Sequence, residues 1–180
     1  MADPTVENAL DELVREIPDW PQAGVTFRDI TPVLADAAGL RTVVEALTDL
    51  GRTVAGGRID RVVGIEARGF ILAVPVALEL GVGFVPVRKT GKLPAKTYTV
   101  SYDLEYGTET LEMHADALAP GDRTLVIDDV LATGGTVAAT NELIAMCGAD
   151  HVGTVVMLEL AALAGRERAG DTPLGALRAV

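Results

Sequence analysis

The segment that most restricts the fold is TLVIDDVLATGGT, residues 124–136. Apolar and β-prone residues run directly into Asp128 and Asp129, then into a loop with two adjacent glycines, and a helical pattern follows over 135–147. A buried strand that leads through a short turn into a helix is the building unit of α/β proteins with a parallel sheet. Ligands of such sheets bind off the carboxyl ends of the strands, so the acid pair marks a candidate site.

Strand and helix patterns alternate along the rest of the chain. Apolar spacing predicts a helix over 6–17, ended by Pro18, and another over 40–50, ended by Gly51. Between them PDWPQAGVTFRDITP is predicted to be a loop, because it holds three Pro and one Gly. Further on we predict strands at RVVGI, VGFVPV, RTLVIDD and HVGTVVMLEL, a helix at FILAVPVALELG, a basic loop at 88–96, a hairpin at 97–115 and a short polar tail. The pattern predicts an α/β fold whose central, mostly parallel β-sheet is flanked by helices.

Length and composition predict a single domain, residues 1–180. The chain has 180 residues, is 49% hydrophobic and has a mean hydropathy of +0.31, which is typical of a folded chain with a filled core. Its one cysteine, Cys147, excludes an internal disulfide and a multi-cysteine zinc site. There is no secretory signal at Met1 and no apolar run of the ~20 residues that a membrane span needs. We expect a soluble cytoplasmic protein with no membrane partner.

The net charge of −11 restricts the possible partners. It opposes binding to a nucleic-acid backbone or to an anionic membrane surface. A small anionic ligand is still compatible with it if cations are clustered locally. Nine consecutive positions hold such a cluster: Arg88, Lys89, Lys92 and Lys96.

The loop ATGGT has the features of a site for a terminal phosphate. Gly134 and Gly135 allow the backbone to approach an anion without Cβ clashes, and Thr133 and Thr136 add hydroxyl donors. The helix that follows presents N–H groups and the positive end of its dipole. The alternative is an ordinary strand-to-helix turn with a threonine cap. The acid pair and the apolar strand before the loop favour the phosphate site.

Asp128 and Asp129 are candidates for binding magnesium or sugar hydroxyls. Neighbours on a strand point to opposite faces, but at a strand end both side chains can turn toward a ligand. Carboxylates bind Mg²⁺ and accept hydrogen bonds from hydroxyl groups. The alternative is a solvated acidic pair at the sheet edge that is independent of the phosphate loop.

The segment LVIDDVLATGGT resembles the phosphoribosyl pyrophosphate (PRPP) motif of type I phosphoribosyltransferases. Four other segments resemble the adenine phosphoribosyltransferases of this family, in their order: GVTFRDITPVL, GIEARGF, VPVRKTGKLP and YDLEYG. The similarity runs from about Ile17 to about Arg168, and nothing after Arg168 is recognised. It implies the type I fold with a small hood and a mobile β-hairpin loop, in a homodimer. The implied reaction joins adenine to PRPP and gives AMP and pyrophosphate, with Mg²⁺ as cofactor and an oxocarbenium-like transition state.

The resemblance assigns roles to the residues of the PRPP motif. Asp128 and Asp129 would face the ribose hydroxyls, directly or through Mg²⁺ and water, and the metal would be held mainly by substrate and water. The 5′-phosphate would be held by Ala132, Thr133, Gly134, Gly135 and Thr136.

The resemblance assigns pyrophosphate to two other segments. Arg68 in GIEARGF would bind it, since a guanidinium matches phosphate oxygens bidentately. Cations of VPVRKTGKLP would neutralise it further, partly in the neighbouring subunit's site: Arg88, Lys89 and Lys92. The alternative for this stretch is a solvated basic turn. Members of the family often carry a non-proline cis peptide that would fall here between Glu66 and Ala67.

The adenine pocket is assigned by resemblance to the segment GVTFRDITP, through Val25, Thr26, Phe27 and Arg28. Backbone groups of an extended loop can match the donors and acceptors on the edge of adenine, and Phe27 offers a face for stacking. Phe27 could equally be a core aromatic that anchors the loop. Arg28 could equally form a structural ion pair with Asp29.

The resemblance makes YDLEYG the mobile catalytic loop. Glu105 would accept or relay a proton at the purine. Tyr106 would cover the ribose and exclude water, which would otherwise hydrolyse the reactive sugar. The alternative for EYG is a hairpin turn with a surface tyrosine.

Two rival functions are compatible with the same motif. A regulator that senses PRPP and binds DNA or RNA would need a basic face or an added domain, and the sequence pI of ≈ 4.5 opposes that. An enzyme for hypoxanthine, guanine or xanthine would need a donor opposite O6, often a lysine after the PRPP helix. Residues 138–160 contain no lysine, which favours adenine.

Overall fold

The computed structural model describes residues 5–103 and 107–180. The helices are α1 Val6–Leu13, α2 Thr31–Ala35, α3 Ala37–Ala55, α4 Arg68–Leu80, α5 Gly135–Met146 and α6 Gly165–Ala169. The strands are β1 Arg15–Ile17, β2 Phe27–Asp29, β3 Arg61–Ile65, β4 Gly83–Lys89, β5 Thr97–Asp103, β6 Thr108–His114, β7 Arg123–Leu131, β8 Asp150–Glu159 and β9 Leu174–Ala179. Two compact units divide within α3, between Ala46 and Leu47. In the described ranges, no helix is both long and apolar enough to cross a membrane.

The second unit is built on a seven-stranded sheet in the order β5-β6-β4-β3-β7-β8-β9. Neighbouring strands from β4 to β9 are parallel, and the β5–β6 hairpin adds an antiparallel edge. Strands β3 and β7 are buried along almost their whole length, as strands covered on both faces are. The predicted α/β class with a mostly parallel sheet is confirmed.

Two successive residues of β3 show which helix covers each face of the sheet. Val63 belongs to a buried cluster with Leu143 and Ile144 of α5. Gly64 packs against Ala73 of α4, where an added Cβ would come within 2.7 Å of the alanine Cβ. Because successive strand residues point to opposite faces, α4 and α5 lie on opposite sides of the sheet. Each buried aliphatic side chain of these layers contributes about 1.5–3 kcal/mol, which holds the carboxyl ends of β3 and β7 in fixed positions.

The first unit contains a two-stranded antiparallel sheet that the sequence did not predict. The predicted helix over 6–17 ends at Leu13, and Arg15–Ile17 pairs with Phe27–Asp29, which lies in the predicted loop. An ion pair between Arg15 and Asp29 joins the two strands. Hydrogen bonds from Thr31, and then from Arg15, lower the pKa of Asp29 to about 2. A strand of three residues has too little periodicity to be recognised, because its stability comes from such contacts across the pair.

Two predicted boundaries in the second unit were wrong. Helix α3 continues past Gly51 to Ala55, because the missing side chain at 51 serves packing rather than helix termination. A Cβ at Gly51 would lie 2.6 Å from Cδ2 of Leu125 on β7. Arg88 and Lys89 belong to β4, so the basic loop begins only after them.

The chain after β8 is also more than a polar tail. A 3₁₀ turn at Ala161–Leu163 and helix α6 lead into β9, which pairs with β8 in parallel. The guanidinium of Arg166 donates to both carboxylate oxygens of Glu159 at 2.7 Å and to the carbonyl of Leu174 at 2.8 Å. This region was missed because LGALRA has little alternation and lies beyond the end of the recognised similarity.

Candidate active site

The acid pair lies at the carboxyl edge of the sheet, but inside a strand. Strand β7 continues past Asp128 and Asp129 to Leu131, so the prediction that the pair ends the strand was wrong. Pairing between β7 and β3 stops at Ile127, whereas pairing between β7 and β8 continues to Leu131. The two carboxyls therefore lie where β7 extends beyond one of its neighbours. Both side chains are buried.

The two buried carboxyls lie beside the guanidinium of Arg68. The backbone N–H of Asp129 donates to Oδ1 of Asp128 at 2.9 Å. Nη2 of Arg68 lies 2.7 Å from Oδ2 of Asp129. Burial raises the pKa of both carboxyls, and the neighbouring charge of Asp129 raises the pKa of Asp128 further. Arg68 acts in the opposite direction, most strongly on the pKa of Asp129. A cation or several hydroxyl donors would stabilise the ionised pair.

Helix α4 begins directly against the acid pair because residue 69 is glycine. A Cβ on Gly69 would lie 2.6 Å from Oδ1 of Asp128 and 3.1 Å from the carbonyl oxygen of Ile127. This close approach puts Arg68, the first residue of the helix, at the same edge as the carboxyls. One residue earlier, the peptide bond between Glu66 and Ala67 is cis, as the family resemblance implied.

The predicted phosphate loop connects β7 to α5. Gly134 has a φ of +80°, in the left-handed region that favours glycine. A Cβ at Gly134 would lie 2.1 Å from the carbonyl oxygen of Gly165, so the loop is packed tightly from behind. The carbonyl of Gly134 accepts the first hydrogen bond of the helix, from the N–H of Ala138 at 3.0 Å. The first N–H groups of a helix have no acceptor within it, which makes this turn suitable for an anion.

Two side chains that the sequence analysis missed flank the loop. The hydroxyl of Tyr102 lies 3.0 Å from Oγ1 of Thr136. A Cβ at Gly135 would lie 2.8 Å from the Tyr102 ring and 3.2 Å from the guanidinium carbon of Arg168. Nη2 of Arg168 donates to the carbonyl of Asp103 at 2.9 Å. Their only signals in the sequence were the position of Tyr102 just before the predicted catalytic segment and that of Arg168 at the end of the similarity.

The other three predicted pyrophosphate cations, Arg88, Lys89 and Lys92, lie at and after the end of β4, and two of them are ion-paired. Nε of Arg88 donates to Oε2 of Glu66 at 3.1 Å. Nζ of Lys89 donates to Oε2 of Glu109 at 2.7 Å, and this hydrogen bond raises the pKa of Lys89. These cations thus lie in one segment, and Arg88 and Lys89 already have carboxylate partners.

A buried carboxylate, that of Glu112, orders the loop that carries Lys92. Its Oε1 accepts the backbone N–H groups of Lys92 at 2.7 Å and of Leu93 at 2.8 Å. Burial raises the pKa of Glu112, but the hydrogen bonds from Leu93, Lys92 and Gly91 outweigh it, and the pKa is lowered. Glu112 therefore stays ionised and fixes the backbone of the basic loop.

The predicted adenine residues lie in the first unit, at and before β2. Val25 and Thr26 are exposed, and Phe27 is half-buried. The Phe27 ring makes an edge contact with Trp20 at a centroid distance of 4.4 Å. Both roles of Phe27, the anchoring role and the stacking role, stay predictions.

Arg28 does not pair with Asp29. It lies 3.1 Å from a carboxylate oxygen of Glu16, while Asp29 binds Arg15, because neighbours on β2 point to opposite sides. Nη1 of Arg28 is buried and has no hydrogen-bond acceptor among the described residues. A buried donor without an acceptor is a position where a ligand oxygen or nitrogen would be stabilising.

Two predicted catalytic residues, Glu105 and Tyr106, lie outside the described residues. The strands on either side of them form the predicted hairpin, with Asp103 opposite Thr108. Within residues 5–103 and 107–180, no group of three or more His, Cys, Asp and Glu side chains is arranged to hold a metal.

Comparisons with known proteins identify the family. The phosphoribosyl transferase domain family matches residues 31–174. The adenine phosphoribosyltransferase of Thermobifida fusca is 56% identical over 175 residues, which are 97% of this chain and 98% of that protein. The crystal structure of the Thermoanaerobacter pseudethanolicus adenine phosphoribosyltransferase matches with a TM-score of 0.91 and 43% identity, covering 98% of this chain and 100% of that one. The structure of the Saccharomyces cerevisiae adenine phosphoribosyltransferase, crystallised with an imino-altritol bisphosphate and adenine, matches with a TM-score of 0.91 and 33% identity. The match covers 96% of this chain and 98% of that one. This chain therefore belongs to the adenine phosphoribosyltransferase family.

Proposed function

We propose that this chain transfers the phosphoribosyl group of PRPP to N9 of adenine, giving AMP and pyrophosphate in purine salvage. The observation that carries the proposal is the arrangement at one sheet edge. There a buried acid pair, an arginine paired to it and a glycine loop at a helix N-terminus lie together. Adenine as the base is supported by the relatives, which are adenine phosphoribosyltransferases and are similar to almost the whole of this chain.

The phosphate loop and the acid pair would hold the phosphoribosyl group at its two ends. Residues 132–136 bind the 5′-phosphate through backbone N–H groups and threonine hydroxyls. Asp128 and Asp129 accept hydrogen bonds from the ribose hydroxyls. As the bond from C1 to pyrophosphate breaks, positive charge develops on the sugar ring, and two nearby carboxylates stabilise it electrostatically. Catalysis then consists mainly of positioning and of fixed charges.

The leaving group takes up negative charge, which Arg68 and the basic segment would stabilise. Each of Arg68, Arg88 and Lys89 already contacts a carboxylate. Pyrophosphate must therefore share or replace these partners, which it can do because phosphate oxygens accept strong, bidentate hydrogen bonds from guanidinium groups. Lys92 adds a further cation from the loop.

Mg²⁺ is the implied cofactor, and the residues fit it. Asp128 and Asp129 supply the carboxylate oxygens that Mg²⁺ prefers, and Mg²⁺ is commonly bound by one or two carboxylates together with substrate oxygens and water. When bound, the metal neutralises charge that develops on the pyrophosphate. The chain's own contribution is Arg68, which lies 2.7 Å from Oδ2 of Asp129 and opposes the rise in the pKa of Asp129 that burial causes.

The base and the proton are assigned to two other segments. Residues 25–28 bind adenine, and Nη1 of Arg28 is a spare buried donor for a ring nitrogen. Glu105 helps to remove the proton from N9 as it attacks, and Tyr106 covers the ribose. Such a cover would protect the reacting sugar from water.

A homodimer in the cytoplasm is part of the same proposal. Helix α4 exposes three apolar side chains with the spacing of one helical face: Ile71 (46%), Val74 (40%) and Leu78 (76%). An exposed apolar stripe of this kind favours a protein contact, and a second copy of the chain is the partner proposed. Sedimentation should give twice the mass of the chain, and Leu78→Glu should shift it toward the monomer. A cytoplasmic location agrees with a single cysteine.

The activity is tested by offering adenine, hypoxanthine, guanine and xanthine separately with PRPP and Mg²⁺, and measuring mononucleotide and pyrophosphate. We expect AMP from adenine alone, and loss of the activity in Asp129→Ala. Turnover of a 6-oxopurine instead would overturn the assignment of residues 25–28. Binding of PRPP without turnover of any base would favour the PRPP-sensing regulator.

A further inference from the structure

The hydroxyl of Tyr102 reaches the phosphate loop from the side of the hairpin. It lies 3.0 Å from Oγ1 of Thr136, and the tyrosine ring lies where a side chain at Gly135 would be. Tyr102 is the next-to-last residue of β5, just before the segment that contains Glu105. The strand that leads into the predicted catalytic loop therefore makes a side-chain contact with the loop proposed to hold the 5′-phosphate.

A bound phosphate would fix the direction of this hydrogen bond. An ionised phosphate only accepts hydrogen bonds, and a threonine hydroxyl has a single O–H to donate. Once Thr136 donates to the phosphate, its oxygen can only accept from Tyr102. Without the anion either hydroxyl can be the donor. Phosphate binding therefore selects one chain of hydrogen bonds, in which Tyr102 donates to Thr136 and Thr136 donates to the phosphate.

Arg168 holds the same end of the hairpin through the backbone. Its Nη2 donates to the carbonyl of Asp103 at 2.9 Å, and its guanidinium carbon lies beside Gly135, at the N-terminus of α5. A cation at the positive end of a helix dipole is unfavourable. A phosphate bound at this turn would convert that repulsion into attraction and so strengthen the contact with Asp103.

From these contacts we propose that Tyr102 and Arg168 are positioning residues. They link occupancy of the 5′-phosphate site to the placement of the β5 end from which the segment with Glu105 and Tyr106 departs. Tyr102 acts through Thr136, and Arg168 acts through the backbone of Asp103. The inference rests on the proposed function for the identity of the anion.

The test compares Tyr102→Phe, Thr136→Val and the double variant in the full-length enzyme. Steady-state kinetics give kcat and KM for PRPP and adenine, and calorimetry gives the Kd of ribose 5-phosphate, which carries the 5′-phosphate alone. Tyr102→Phe should raise the KM for PRPP and the Kd by about 3–10-fold, the effect of one hydrogen bond in a charged network. The double variant should be no worse than Thr136→Val, because the Tyr102 hydroxyl acts through that threonine.

Tyr98→Phe is the matched control, four positions earlier on the same face of β5, and it should change none of these values.

Arg168 is tested separately. Arg168→Met should lower kcat more than it raises the KM for adenine, and Arg168→Lys should restore part of the lost kcat. Additive losses in the double variant, or an unchanged Kd in Tyr102→Phe, would overturn the coupling. Wild-type protein that binds ribose 5-phosphate but makes no AMP would overturn the proposed function, while the Kd values still decide the coupling. No binding of ribose 5-phosphate would overturn both.

Discussion

The two anion-binding regions proposed for the second unit are built in opposite ways. The loop at 132–136 relies on backbone N–H groups, a helix N-terminus and hydroxyls, and contains no basic residue. The basic segment, residues 88–92 at the end of β4 and just after it, relies on cations, and its Arg88 and Lys89 already bind Glu66 and Glu109. The loop is held by backbone packing that a single Cβ would disrupt. The basic segment is held by ion pairs that a ligand can replace.

This difference matches the fates of the two phosphate groups in the proposed reaction. The 5′-phosphate stays attached to the sugar from substrate to product, so a preorganised site that needs no exchange of partners serves it throughout. Pyrophosphate must be bound, stabilised as it departs and then released. Cations whose carboxylate partners are close at hand can bind it and return to those partners. The fixed site therefore suits the 5′-phosphate, which is retained. The exchangeable site suits pyrophosphate, which leaves.

The largest effect is expected at Gly134. In Gly134→Ala a Cβ would lie 2.1 Å from the carbonyl oxygen of Gly165, which is backbone and cannot rotate away. We expect kcat/KM for PRPP to fall by about 10³-fold or more, or about 4 kcal/mol, because the loop must rebuild. Steady-state kinetics and the Kd of ribose 5-phosphate measure this.

Gly121 provides the control for this substitution. It has the same φ of +80°, but a Cβ there would meet no atom within 4 Å. Gly121→Ala should cost about 1 kcal/mol in the free energy of unfolding and leave activity unchanged. Equal behaviour of the two variants would mean that backbone conformation, and not the clash behind the loop, explains the loss at Gly134.

The second prediction concerns Asp128, whose pKa is raised by burial and by the charge of Asp129. The folded state then holds a proton that the unfolded state has lost, so the free energy of unfolding falls as the pH rises from the ordinary aspartate pKa through the raised one. Asp128→Asn should remove this loss. At neutral pH we expect a gain of about 1–2 kcal/mol, or about 2–8 °C in Tm, together with a fall in kcat of about 100-fold.

The pH dependence distinguishes this effect from a general change in packing. The difference in Tm between Asp128→Asn and the ligand-free wild type should shrink as the pH is lowered toward about 4, where the wild-type carboxyl is protonated. Asp129→Asn should raise the Tm by less, because this substitution also breaks the contact with Arg68. A Tm for Asp128→Asn below that of the wild type at every pH would show that the ionised acid pair does not strain the fold.

The sequence predicted what is local and missed what is distant. The strand, acid pair, glycine loop and helix over 124–147 are contiguous, so their order alone indicated their place in an α/β fold. The basic segment and its partners are far apart in the sequence. Arg88 binds a residue 22 positions away, and Lys89 binds one 20 positions away. Likewise the contact of Tyr102 with Thr136 spans 34 positions. Neither the spacing of residues nor a motif predicts which of several carboxylates or hydroxyls a side chain meets.

A third prediction tests the exchangeable region directly. Arg88→Gln removes a cation that contacts Glu66, and we expect about a tenfold rise in the KM for pyrophosphate in the reverse reaction from AMP, as for one charge-assisted contact. The Kd of ribose 5-phosphate should not change. Arg52→Gln, which removes an exposed arginine paired with Asp49, is the control and should affect neither value. A weaker affinity for ribose 5-phosphate in Arg88→Gln would show that the two regions are not separate.

The smallest effect is expected from releasing Lys89. The side chains of Lys89 and Glu109 are 53% and 27% exposed, so their ion pair contributes about 0.2–1 kcal/mol to stability. Glu109→Gln should leave Lys89 charged but without this carboxylate partner. At low salt, calorimetry should then show pyrophosphate binding that is about two- to threefold tighter. Screening should abolish the gain at high salt, where exposed charges interact weakly.

The opposite outcome of this experiment would be informative about the whole segment. If Glu109→Gln weakens pyrophosphate binding, the carboxylate does not compete with the ligand but holds the Lys89 ammonium in place for it. The basic segment would then be preorganised in the same sense as the phosphate loop, through ion pairs in place of backbone packing. Exchange of partners would no longer explain how pyrophosphate is released, and release would have to depend on movement of the β5–β6 hairpin that carries Glu109.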